Sequence, residues 1–190
     1  MPKTAPSRYG AIAQAFHWLT AIVVLIAFIY GPGGSEERVY AVARDADRRL
    51  HETLGLVVLG LLVLRLVWKL IATPPAPLPM PSWMHLASRA THGMLYLLLI
   101  AVPVSAIVGA WLTGHPLTLL GGVDVAPRLS AAHGLGSTIA EVHGWLGDVI
   151  LWLAGLHAAA GIYHHLVLRD GVLVSMLPAR VAPPRPRGEG

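Results

Sequence analysis

The chain has 190 residues, 55% of them hydrophobic and 13% charged, with a mean hydropathy of +0.61 and a formal charge of +4. Soluble domains carry about a quarter charged residues, so this composition excludes an ordinary soluble domain and is that of a membrane protein. The absence of cysteine excludes disulfides, iron–sulfur clusters and thioether-attached haem, and a pI near 9.9 reads as basic membrane edges, with no nucleic acid partner.

Residues 11–30 carry no charge. About 20 apolar residues cross a bilayer core, so the first helix is expected there. A secretory leader is the competing reading of this basic-then-apolar start. It is set aside because His17 and Trp18 interrupt the run and no A-x-A site closes it directly before the Gly31-Pro32-Gly33-Gly34 turn. Residues 35–49 read as a charged connection with four basic and four acidic residues. A second helix is expected over 50–71, stopped by the proline-dense TPPAPLPMP. A third is expected over 85–112. It contains Pro103, which should kink it at little cost because membrane neighbours satisfy the freed carbonyl. The Gly- and Ser-rich residues 113–140 read as a loop. A fourth helix follows over 141–168, then RDGVLVSMLPAR, and a basic tail, 179–190, expected to be disordered.

The predicted fold is all-α, one domain over 1–178: an integral membrane four-helix up-down bundle. Nine of the 14 Lys and Arg residues fall on the side of the termini, which places both termini in the cytoplasm.

Histidines fall at matched depths in such a bundle. His143 and His157 are 14 residues apart, which on a helix is within about 40° of one direction and about 21 Å along the axis. His51 opens the second helix beside His143, and His17 lies at the depth of His157. The same stripe carries Gly147, Ala154 and Gly161, small residues against which a flat ligand can lie. Two imidazoles facing across a bundle interior suit a six-coordinate b-type haem, and two such pairs suit two haems. A zinc site would want four ligands at one depth, whereas these are split between two. A proton relay would use buried carboxylates, for which only Asp148 is available. Ionisable residues inside membranes are costly and point to function.

The sequence resembles the bacterial cytochrome b561 family, in its compact four-helix members. The residues that carry the resemblance are RYGAIAQAFHWLTA, LHETLGLVVLGLLVLRLVWKL, HGMLYLLLIAVPVSAIVG and HGWLGDVILWLAGLHAAAGIYHHLVLRDGVLVSMLP. The resemblance implies a bacterial inner-membrane protein with two haems b, ligated by His17, His51, His143 and His157. Some compact members oxidise superoxide at the outer face and reduce ubiquinone at the inner face. Others are carriers relaying electrons from a protein donor, such as a dehydrogenase or hydrogenase, to the quinone pool. His92, His164 and His165 sit where such members have their inner quinone region. Contact of His164 and His165 with lipid phosphates is the alternative.

Arg65 shares the face of His51 at the inner depth and suits a haem propionate through charge-assisted bonds; a snorkelling cation is the alternative. Arg48 and Arg49, beside His51, suit an outer entrance for an anion. Against that entrance, residues 35–49 sum to zero charge and Glu52 and Glu141 flank the ligands.

Overall fold

The computed structural model describes residues 8–73, 75 and 78–178; the expected tail, 179–190, lies outside them. Four helices are long and apolar enough to cross a membrane. Helix α1 (Ala11–Tyr30) stops at Gly31, whose N–H closes on Phe28 O at 3.2 Å just before Pro32. A short helix α2 (Glu36–Val39) and a 3₁₀ turn (Val42–Arg44) lead directly into α3 (Asp45–Ile71).

Helix α3 thus begins five residues before the expected position 50. Four of the eight charges read as a connection, Asp45, Asp47, Arg48 and Arg49, instead belong to its first turns. Arg49 Nε meets Asp45 Oδ2 at 2.6 Å, Arg48 Nη1 meets Glu52 Oε1 at 2.9 Å, and Arg48 Nη2 meets Asp45 Oδ1 at 2.5 Å. Such i,i+3 and i,i+4 pairs support a helix start, as do acidic residues in the first turn.

Helix α4 (Ser82–Leu112) follows Pro81, with Pro103 inside it. A small antiparallel hairpin comes next, β1 (Leu117–Thr118) with β2 (Asp124–Val125), turning through Gly121 and Gly122 at φ of 87° and 78°. Helix α5 (His133–Tyr163) runs into a π turn (His164–Leu168), and α6 (Val172–Ser175) closes the described chain.

The expected loop therefore ends at residue 132, and α5 is eight residues longer at its start than the glycines suggested. Those glycines serve packing. A Cβ at Gly136 would lie 2.8 Å from Thr113 N and 2.9 Å from Leu112 C, and one at Gly109 would lie 3.2 Å from Ala140 N. Helices α4 and α5 approach backbone to backbone here, as small residues allow in membranes.

The helices pack as two pairs, α1 with α3 and α4 with α5, while α1 and α5 touch only sparsely. Between the pairs lies a core of Val23, Val58, Leu62, Leu99 and Ile150. It sits at mid-depth, because Ile150 is seven residues from both His143 and His157. The lower end is stitched by Gln14, a buried side chain whose Nε2 lies within 3.0 Å of Tyr9 O and 3.2 Å of Ser175 O and Leu177 O. Trp18 Nε1 adds a bond to Met176 O at 2.9 Å.

Candidate functional site

The two histidine pairs face each other across the interior. His51 (α3) and His143 (α5) have ring centres 5.8 Å apart with planes at 80°. His17 (α1) and His157 (α5) are 6.2 Å apart at 72°. A transition-metal ion with bonds of about 2 Å to each of two imidazoles, plus roughly 1 Å from nitrogen to ring centre on each side, needs about 6 Å between centres. Both pairs meet that span.

The His51–His143 pair, called outer for the side of the bundle away from the termini as the other is called inner, is anchored at its far ring atoms. His51 Nδ1 contacts Ala27 O at 2.7 Å, and His143 Nδ1 contacts Val102 O at 2.9 Å. Ala27 is among the last four carbonyls of α1, which lack a helical partner, so His51 satisfies that helix end. A bond from Nδ1–H to a carbonyl leaves Nε2 as the free electron pair.

Each pair lines a cavity. The inner one, about 500 Å³, is bounded by His17, His157, His92, Arg65, Tyr96 and Thr20 among others. The outer, about 110 Å³, includes His51, His143, Gly55, Gly147 and Pro103. A Cβ at Gly55, Gly147 or Gly155 would meet nothing within 4 Å, so these glycines leave flat space beside the imidazoles. Val24, Leu99 and Ile150 line both cavities and form the partition between them.

His92 (α4) also reaches the inner site, with its ring 5.2 Å from that of His157 and its Nδ1 2.7 Å from Ser88 O. That separation is about 1 Å short of a metal-bridged pair, so His17 is the better partner of His157. Arg65 stands over Tyr96 at 5.3 Å and Lys69 at 5.2 Å from the same ring, a cation–π clamp. His164 hydrogen-bonds Asp170. His165 is half-buried beside it.

At the outer rim, Arg48 and Arg49 are both held by carboxylates. Glu52 also accepts the Thr118 N–H at 2.5 Å, and Thr53 Oγ1 accepts the Leu120 N–H at 2.9 Å. The hairpin is thereby fastened over the outer pair. Tyr40 stacks on His115 at 3.6 Å, and His133 Nε2 lies 3.2 Å from Glu36. Among the described residues no three His, Asp or Glu side chains converge on a metal position. Asp148, the carboxylate for a relay, is exposed.

The family model for prokaryotic cytochrome b561 matches residues 8–179. The chain belongs to that family. It is 35% identical to cytochrome b561 homolog 2 of Escherichia coli over 173 residues, 90% of this chain and 92% of that protein. It is 30% identical to the probable superoxide oxidase CybB of Yersinia pestis, covering 91% and 97%. Cytochrome b562 of Cereibacter sphaeroides is 26% identical, covering 93% and 99%.

This is a bacterial membrane cytochrome that binds b-type haem and transfers electrons. The residues fit that group: paired imidazoles at metal-bridging distance, glycine clearance, and a cation at the cavity wall. Gln14 and Tyr96 were missed by reading the sequence, and Glu52 was read only as a charge beside His51. An amide inside an apolar run is the signal that could have found Gln14. Nothing local marks Tyr96.

Proposed function

We propose that the protein is a di-haem cytochrome b of the bacterial inner membrane, with both termini cytoplasmic. It would carry electrons from an outer donor to ubiquinone at the inner face. The observation that carries this reading is the repeat of one geometry: His51 with His143, and His17 with His157, at ring separations of 5.8 and 6.2 Å and about 21 Å apart along α5. His51 with His143 and His17 with His157 would hold the haems, and the bound group would supply one-electron transfer.

The chain's own residues set the conditions. Arg65, clamped by Tyr96, supplies positive charge and donors to a propionate. His92 and the His164–His165 segment line the inner end, where they would contact the quinone. The Val24, Leu99 and Ile150 partition keeps water out between the two sites. Superoxide is a donor suggested by the Yersinia relative's name.

The compensated Arg48 and Arg49 favour a second reading of the outer end, a protein donor that supplies its own surface. A reduced-minus-oxidised spectrum with a haem-to-protein ratio tests the core proposal, since a ratio of one would sink it. Haem reduction by superoxide separates the two donors. No reaction at any ionic strength would leave the carrier reading.

A further inference from the structure

The inner end of α5 has a feature that haem ligation does not explain. The helix widens into the π turn His164–Leu168, a form concentrated at functional sites. Arg169 then adopts a left-handed φ of 53° and Gly171 one of 80°. Glycine takes that conformation freely, whereas a side chain there costs on the order of 1 kcal/mol. The reversal carries Asp170 back onto His164. His164 Nδ1 bonds Asp170 Oδ2, while Asp170 Oδ1 accepts the Val172 N–H at 3.1 Å. The two side chains are only 16% and 21% exposed. The carboxylate is thus held at both oxygens, and the imidazole is held through Nδ1, with no hydrogen-bond partner for Nε2 among the described residues.

This arrangement is that of an oriented acid–base histidine, in which a fixed carboxylate sets tautomer and ring angle. Helix α6, packed against it, offers no titratable side chain in Val172–Ser175. The neighbouring Tyr163 ring lies 6.4 Å from that of His164. Asp170 is therefore the carboxylate that fixes His164. The segment itself is braced by Gln14 and Trp18, which bond the carbonyls of residues 175–177.

We propose that Asp170 is a positioning residue for His164, and that the pair delivers a proton to quinone at the inner face. The proposal rests on the reading above that quinone docks beside His164. Quinone takes two electrons, which come from the donor through the haem cofactors, and two protons to become quinol. The O–H bond at the carbonyl nearest His164 forms with the proton of a protonated imidazole's Nε2, whose N–H bond breaks. The ring is left neutral with Nδ1–H still on Asp170, and regains its Nε2 proton from the inner aqueous side. Water supplies the proton at the other carbonyl.

The test uses the full chain with its haems, chemically reduced and then mixed with a short-chain ubiquinone, following haem reoxidation. Asp170→Asn should lower the plateau rate about ten- to a hundredfold. The half-saturating quinone concentration, the haem content and the haem spectrum should stay unchanged. Asp170→Glu should recover most of the rate, and His164→Gln with Asp170→Asn should be no slower than His164→Gln alone. A wild-type rate in Asp170→Asn beside a slow His164→Gln overturns the role of Asp170 and leaves the docking reading standing. A wild-type rate in His164→Gln overturns the docking reading itself. Haem loss in Asp170→Asn, unrescued by Glu, makes Asp170 structural and overturns the proposal.

Discussion

His51 and His143 face each other at 5.8 Å, and each is tied at Nδ1 to the backbone of a third or fourth helix, Ala27 of α1 and Val102 of α4. All four spanning helices therefore meet at the outer pair. The inner pair has no matching anchor among the described residues, and its cavity is larger. Replacing His143 or His51 by Ala should remove one haem, and replacing His157 or His17 should remove the other. Haem-to-protein ratios near half the wild-type value, with two different residual spectra, would be the expected result. Identical residual spectra from His143→Ala and His157→Ala would contradict separate sites.

Arg65 lines the inner cavity while its guanidinium rests on Tyr96. A nearby positive charge favours the reduced form of a redox group, which holds one more electron. Arg65→Gln should lower the midpoint potential of one haem by about 40 mV, roughly 1 kcal/mol for a one-electron couple at an effective dielectric near 20. Tyr96→Leu should move it the same way by less. A redox titration checks both.

Gln14 spends its amide on carbonyls that close the chain end against α1. Gln14→Leu would strand those acceptors, at about 1–3 kcal/mol for a buried unsatisfied group. The expected outcome is a lower Tm and faster proteolysis at 172–178, with haem content little changed.

Gly136 and Gly147 should respond in opposite ways. Gly136→Ala forces a methyl within 2.8 Å of the Thr113 backbone, and overpacking of that kind costs about 1–3 kcal/mol. It should depress Tm with or without haem. Gly147→Leu has open space in the outer cavity, so it should leave the apoprotein's stability nearly unchanged and reduce outer haem content.

Tyr40 sits outside the spans, and burial, aided by the Glu52 carboxylate and opposed by Arg48, pushes its phenol up to about 12 from 10.0. The folded value lies above the unfolded one, so folding favours the neutral phenol. Its contribution is fully present below pH 10 and is lost as pH rises through 12. Ultraviolet difference titration should show a late ionisation that is present in the wild type and removed by Tyr40→Phe.

The four spans were legible because charge-free runs of bilayer length have few other uses. Their starts were less so. Residues 45–49 look like a loop until Arg48 and Arg49 reach Asp45 and Glu52, and residues 133–140 look like one until Gly136 meets Thr113. Propensity and composition carry no information about a partner helix. The histidine depths followed from simple counting along α5. His92 did not resolve that way, because its distance from His157 depends on how α4 crosses α5. Asp170 could not be paired with His164 from sequence, since the contact depends on a π turn and a left-handed arginine.

The partition of Val24, Leu99 and Ile150 has an electrical consequence. Under the two-haem proposal, an electron passed from the outer pair to the inner one would move about 21 Å through a hydrocarbon thickness of about 30 Å, past a partition whose side chains carry no group that exchanges a proton. The step is then a net displacement of charge across roughly two-thirds of the membrane field. Since a full crossing is worth about 2.3 kcal/mol per 100 mV, each transfer is driven or opposed by about 1.5 kcal/mol per 100 mV. Under that proposal, energisation of the cell membrane would bias the balance between the two haems.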